Sequence, residues 1–164
     1  MMQISIYDAK ADDFGRIVEL NEAEVHQTSP MSLQRLNELA LMSSYHKVAI
    51  ANGRVAAFAL AMRENAPYQN ENYAWFAARF PKFLYVDRIV VGSEFAGLKI
   101  GTLLYTNLFG FARSQGVSFV TCEYNVQPPN PASKGFHDKF GFQELDTQWV
   151  ANGTKKVSLQ AAKV

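Results

Sequence analysis

The chain has 164 residues, 48% hydrophobic and 13% aromatic, with a formal net charge of +1. This suits one packed domain spanning 1–164 and excludes a disordered chain. It also gives no reason to expect a nucleic-acid backbone or an anionic membrane as partner.

Met1-Met2-Gln3-Ile4-Ser5-Ile6-Tyr7 alternates like a strand. It lacks the basic start and apolar block of a signal peptide, and no apolar run approaches the ~20 residues of a membrane helix. A cytoplasmic protein is therefore expected. A helix follows from about Ala11 to Val25, with Phe14, Ile17, Val18 and Val25 on one face. Gln27-Thr28-Ser29-Pro30 breaks it. Ser32 is placed to cap a second helix with the stripe Leu33, Leu36, Leu39 and Ala40. Tyr45–Ala51, Asn52-Gly53 and Val55–Met62 read as a hairpin with a type I′ turn.

An aromatic excursion follows from Arg63 to Lys82, carrying Tyr68, Tyr73, Trp75, Phe76 and Phe80, with a short helix near Glu71–Arg79. It reads either as a lid over a binding site or as a satellite hydrophobic cluster. Phe83–Val91 is a strand, Ile100–Gln115 a helix and Val117–Tyr124 a strand. Pro128, Pro129 and Pro131 enforce an extended turn before a short helix, Ala132–Lys139. Phe142–Val150, Asn152-Gly153 and Lys155–Leu159 close the chain as a second hairpin. Strands joined by both hairpins and helical crossovers predict an α/β fold: a mixed, mostly antiparallel sheet covered by helices.

The most informative stretch is Val86-Asp87-Arg88-Ile89-Val90-Val91 followed by Ala96-Gly97-Leu98-Lys99-Ile100-Gly101-Thr102. An apolar strand runs into a glycine-containing loop that opens an amphipathic helix. Such a loop aims unpaired backbone N–H groups, and the positive end of the helix dipole, at whatever lies above it. The site suits a phosphate or pyrophosphate. The loop has no Gly-Lys-Ser/Thr ending, which argues against a nucleotide hydrolase.

With Asn130-Pro131-Ala132-Ser133-Lys134-Gly135-Phe136-His137-Asp138-Lys139-Phe140-Gly141-Phe142, this stretch resembles the GNAT superfamily of N-acetyltransferases. Tyr85–Val91, Pro128–Ser133 and Asn72-Tyr73-Ala74-Trp75-Phe76-Ala77-Ala78-Arg79 resemble a bacterial group within it. The resemblance runs from Ile4 to about Leu159 and implies a sheet splayed between its two central strands, with the thioester of acetyl-CoA in the notch. It implies that Ile89, Val90 and Val91 pair with the pantetheine arm. Ala96 to Thr102 (Ala96, Gly97, Leu98, Lys99, Ile100, Gly101 and Thr102) would cradle the pyrophosphate, with Asn130, Ser133 and Phe136 also at the cofactor.

Two loop positions depart from the family pattern. Ala96 replaces a cationic or amide residue, and Lys99 replaces the middle glycine. The cradle is mostly main chain, so its N–H donors survive both changes, and Lys99 fits the loop if it takes a negative, helix-like φ. The implied activity is transfer of acetyl from acetyl-CoA, the only co-substrate and with no metal, to a primary amine of a small molecule or peptide. Transfer would be direct, through a tetrahedral intermediate. Oligomeric state is left open, a homodimer being one option. A catalytically weak or inactive acyl-CoA-binding or regulatory module is the alternative, since the loop departs from the family pattern and His137 stands where the family usually has a tyrosine.

N-acetyl transfer needs an uncharged amine and a proton for the leaving thiolate. His137 at the mapped tyrosine position is a candidate acid, the alternative being that it packs its helix and bonds a carbonyl. Asp87 and Glu123 are candidates to take a proton from the amine. For Asp87 a salt bridge with Arg88 or Arg113 is the competing role. Tyr85, Tyr73, Trp75 and Phe76 are candidates for the acceptor pocket, with Tyr85 equally readable as core. Cys122, the sole cysteine, excludes an intrachain disulfide and a multi-cysteine zinc site. It reads as a small buried hydrophobe, and His26 and His46 as isolated surface or core residues.

Overall fold

A computed structural model describes residues 3–25 and 28–164. His26, and the Met1-Met2 and Gln27 ends of two expected segments, lie outside the described residues. The first strand is β1 (Ile4–Asp8), followed by a short 3-10 turn and helix α1 (Phe14–Ala23). Ile17 and Leu20 are the buried apolar residues of α1, with Asn21 buried beside them. In α2 (Leu33–Met42) the Ser32 side chain accepts from the Arg35 N–H, as a helix cap should. Leu36 and Leu39 are buried, but Leu33 is 52% exposed, so the stripe is narrower than its spacing predicts. The cause is position. Leu33 stands in the first turn, where the helix has just left its cap.

Strands β2 (Tyr45–Ala51) and β3 (Arg54–Arg63) form the expected hairpin. Asn52 and Gly53 take φ 53° and 71°, the two left-handed residues that a type I′ turn demands. Helix α3 (Glu71–Ala77) is capped by Asn70, and β4 (Leu84–Val91) follows. Then come α4 (Ile100–Ser114), β5 (Phe119–Gln127), α5 (Pro131–Asp138), β6 (Gln143–Val150) and β7 (Lys155–Lys163).

Among the described residues seven strands share one sheet in the order β1-β2-β3-β4-β5-β7-β6. β1–β2, β2–β3, β5–β7 and β6–β7 are antiparallel. β4 and β5 are parallel, in a ladder that pairs Leu84 with Val120 and Tyr85 with Thr121. The mixed, mostly antiparallel open sheet with flanking helices is the expected architecture. Among the described residues no helix is long and apolar enough to cross a membrane.

The chain divides into two compact units. Unit 1 is Met1–Met62 with Val86–Phe111 and unit 2 is Arg63–Tyr85 with Ala112–Val164. In unit 1 the core is the apolar run Val55 to Met62 of β3, with Ile17, Leu36, Leu39, Val48 and Leu104. Two continuous features of that run, alternation lost and every side chain buried, mark a strand covered on both faces. In unit 2 the core is aromatic: Tyr73, Phe76, Phe83 and Tyr85 are each at most 4% exposed.

His46, on β2, has a buried Nε2 with no hydrogen-bond partner among the described residues. Its ring lies 5.5 Å from that of Phe14. Burial pushes its pKa down to about 4, against a smaller upward pull from Asp13. The unfolded chain, with an ordinary histidine, binds a proton below about 6.5 that the folded chain refuses. The contribution of His46 is therefore intact above about pH 6.5 and is lost as pH falls toward 4, by up to about 1.4 kcal/mol per pH unit. Denaturant titrations between pH 7 and 4.5 should show this slope, and His46→Gln should flatten it by close to one proton.

Candidate active site

In unit 1, β4 ends at Val91 and the chain turns at Gly92, whose N–H donates to the Ala56 carbonyl at 2.8 Å. A Cβ on Gly92 would meet the Leu20 side chain at 3.1 Å and the Ala56 oxygen at 3.3 Å. That crowding is why a glycine ends this strand, and it was not singled out from the sequence. A turn at Ser93–Phe95 buries Phe95 and ties Glu94 to Arg16 at 2.8 Å and Arg54 at 3.3 Å. The loop is thus anchored just before its exposed part, residues 96–99.

Gly97 takes φ 82°, with open space where a Cβ would stand. Lys99 takes φ 59°. This corrects the expectation of a negative, helix-like angle. The chain has to reverse into α4 here, and the left-handed turn that does it falls on Lys99. A glycine adopts that angle freely, whereas a side chain costs about 1–2 kcal/mol. The Lys99 carbonyl accepts the Leu103 N–H at 3.1 Å. The N–H groups of Ile100, Gly101 and Thr102 therefore precede the first intrahelical bond and point out of the helix start. Ile100 is buried and holds the start in place, while Thr102 is exposed. Together with the dipole of a 15-residue helix, these donors give the helix start the chemistry that suits an anion.

On β4, Val90 is buried and Ile89 and Val91 are half-buried. Asp87 forms a buried ion pair with Arg88, Nε to Oδ2 2.7 Å, the two side chains 4% and 5% exposed. Arg88 also donates to Asn21 Oδ1 at 3.1 Å and to the Ser29 carbonyl and hydroxyl at 3.0 Å. The competing structural role of Asp87 is the one the geometry carries. Removing either partner of such a pair would strand a buried charge.

Unit 2 holds the other carboxylate. Glu123 Oε1, on β5, accepts from the Tyr85 hydroxyl at 2.8 Å and from Asn72 Nδ2 at 3.0 Å. Asn72 Oδ1 in turn accepts from Gln148 Nε2 at 3.1 Å. Four segments, α3, β4, β5 and β6, thereby fix one carboxylate in one orientation. The sequence reading missed Asn72 and Gln148. Asn72 was visible as the first residue of Asn-Tyr-Xaa-Trp-Phe, but its target lies far along the chain.

Three aromatics of the excursion, Tyr68, Tyr73 and Phe76, are buried, and Trp75 and Phe80 are half-buried. Tyr73 packs its ring 5.5 Å from Tyr68 and 5.6 Å from Tyr85, and its hydroxyl donates to the Arg63 carbonyl at 2.6 Å. Burial pushes that phenol's pKa up. Phe76 lies 5.9 Å from Tyr85. Trp75 alone of the four acceptor-pocket candidates is half-buried, with the Arg79 guanidinium 3.9 Å over its ring. Cys122 is 2% exposed.

Asn130 caps α5, its Oδ1 accepting the Ser133 N–H at 3.2 Å. Pro131 stands at the first helical turn, where its missing N–H does no harm. His137 is 5% exposed, and its ring packs on Phe136, Phe142 and Tyr124 at 5.3, 5.1 and 5.6 Å. Its Nδ1 lies 2.7 Å from the Ser133 carbonyl and 3.2 Å from the Ser133 hydroxyl. A carbonyl only accepts, so Nδ1 carries the proton. Burial holds the imidazole below its usual pKa, more than the Ser133 carbonyl raises it. Among the described residues no group of His, Cys, Asp and Glu gathers that would hold a metal.

Solved structures share this fold. The ribosomal-protein-S18-alanine N-acetyltransferase of Escherichia coli matches with a TM-score of 0.75 at 15% identity, covering 99% of this chain and 94% of that one. Ard1 of Thermoplasma volcanium matches at 0.79 and 13%, over 98% and 97%. Arabidopsis thaliana Naa50, in complex with the bisubstrate analogue CoA-Ac-MVNAL, matches at 0.74 and 15%, over 98% and 99%. At these identities the likeness concerns the fold. No curated protein sequence matches the chain. The family model described as "Acetyltransferase (GNAT) family" matches residues 5–142, a range that includes the loop 96–102 and Glu123, and the chain therefore belongs to the GNAT acetyltransferase family.

Proposed function

We propose that the protein moves an acetyl group from acetyl-CoA to a primary amine by direct attack of the amine on the thioester. The observation that carries this reading is Glu123, a carboxylate oriented by two donors to one oxygen, in a chain that also carries a helix-start anion loop. The family model runs through both compact units, which supports treating them as parts of one acetyltransferase domain.

The loop Ala96–Thr102 offers exposed backbone donors and no acidic side chain, which fits the pyrophosphate of coenzyme A. Ile89, Val90 and Val91 lie on the strand leading to it, and their backbone would pair with the pantetheine arm as an added strand does. Asn130, Ser133 and Phe136 stand at the start and middle of α5, at the second cofactor segment of the family pattern. Glu123 takes a proton from the ammonium form of the acceptor. The neutral amine attacks the carbonyl carbon, the C–N bond forms, the C–S bond breaks, and coenzyme A leaves as a thiolate that must be protonated.

His137 can supply that last proton only as imidazolium, because its Nδ1–H is already given to Ser133. Burial makes that form scarce at neutral pH. A kcat governed by His137 therefore falls as pH rises through a pKa below the usual 6.5. His137→Ala should lower kcat by at least about tenfold below that pKa and far less at pH 8, and His137→Tyr should hold its activity to higher pH. Equal rates for wild type and His137→Ala below that pKa and at pH 8 would reduce His137 to packing against Tyr124 and Phe142.

Thiol release from acetyl-CoA across a panel of amines tests the whole reading. Release that depends on the amine supports it. Coenzyme A binding without release for any amine would favour the non-catalytic module.

A further inference from the structure

Along β5, residues 121, 123 and 125 share one face, because strand side chains alternate. All three are polar: Thr121, Glu123 and Asn125. Asn125 is 8% exposed and Thr121 fully buried. The Asn125 Nδ2 and the Thr121 Oγ1 meet no hydrogen-bond partner among the described residues. A buried amide donor left unmade is costly, and proteins rarely tolerate one without a use for it.

Its surroundings suggest the use. Asn125 pairs across the sheet with Val157, and Val157 pairs on its other side with Gln148. Gln148 is the residue that holds Asn72, which holds Glu123. Asn125 thus belongs to the same face and the same polar neighbourhood as the proposed base, about 7 Å along the strand from it. An amide N–H takes an acceptor atom. A group with a basic nitrogen for Glu123 and a carbonyl oxygen for Asn125, three bonds apart across two carbons, spans such a gap once the two hydrogen bonds are included.

We infer that Asn125 selects the acceptor: its Nδ2 donates to the carbonyl oxygen next to the reacting amine, so the substrate class is α-aminoacyl, an amino-acid amide or a peptide N-terminus. Simple alkylamines and polyamines offer no such oxygen and leave the Asn125 donor buried and unmade. A site built to hydrogen-bond a substrate group discriminates strongly against the analogue that lacks it. This rests on the transfer reading above, and the experiment separates the two.

Rates of thiol release are measured for alaninamide, a short Ala-initiated peptide and isopropylamine, with wild type and Asn125→Leu. The comparison is the ratio of the two proteins on each amine, so differences in amine basicity cancel. Asn125→Leu should lower kcat/KM for alaninamide and the peptide by about tenfold or more and leave isopropylamine within about twofold. The peptide arm tells whether chain beyond the first carbonyl adds to selection. Thermal stability is the second readout. If Asn125 serves a ligand, replacing its unmade donor with an apolar group should leave the melting temperature unchanged or raised. If it serves the fold, through a bound water for example, Asn125→Leu should melt lower and slow all amines alike. An equal effect on all three amines, or none on any, overturns the inference while acetyl transfer stands. No thiol release with any amine overturns the transfer reading and this inference with it.

Discussion

Glu123→Gln should lower kcat/KM for the acceptor amine by about 10²–10⁴-fold, the usual contribution of a positioned acid–base group. The substitution is nearly isosteric. Its amide oxygen still accepts from the Tyr85 hydroxyl and from Asn72 Nδ2, the bonds that hold the native side chain at 2.8 and 3.0 Å. The fold around it, the melting temperature and the KM for acetyl-CoA should therefore stay close to wild type. What disappears is the ability to take a proton from the ammonium ion. Because the lost step is deprotonation, the variant should recover as pH rises toward the pKa of the acceptor amine, where free amine is already abundant. Wild-type turnover by Glu123→Gln, measured with chemistry rate-limiting, would exclude Glu123 as the base. Asp87 is poorly placed to replace it, since its carboxylate is already in a buried pair with Arg88.

Gly101→Glu should weaken coenzyme A binding by at least about a hundredfold in calorimetry. Gly101 is the second residue of α4, within the group of N–H donors that precede the first intrahelical bond. A glutamate there puts a negative charge within a few ångströms of the proposed pyrophosphate. Two like charges 4 Å apart near a protein surface repel by about 4 kcal/mol, more than enough for the stated effect. Gly101→Ala separates charge from bulk and should cost far less. The repulsion should also shrink as salt rises, because an exposed loop is screened. Unchanged affinity for Gly101→Glu would mean that coenzyme A does not use this helix start.

Much of the local architecture was legible from neighbouring residues alone. Asn52-Gly53 had to make a type I′ turn, because few other pairs accept two left-handed angles. Ser32 precedes the second helix and caps it, as its place predicted. The strand, loop and helix order around Gly97 and Gly101 pointed to an anion site because the donors are main-chain groups that come with the geometry. These features depend on interactions a few residues long, so spacing and residue type determine them.

What the tertiary structure decided are contacts between distant segments. Lys99 is left-handed because β4 and α4 must be joined at a set angle, which no property of lysine reveals. Asp87 is a structural ion pair because Asn21 and Ser29 come in to complete the coordination of Arg88. Tyr73 and Phe76 of the aromatic excursion are core because they find Tyr85 across the chain. His137, read as an acid from its place in a motif, is buried and tied to Ser133, which changes the pH range in which it can act. The sequence determined which groups are available and how each local element is built. Burial and long-range partners, which set whether a given carboxylate or imidazole is structural or reactive, arise only when the segments pack.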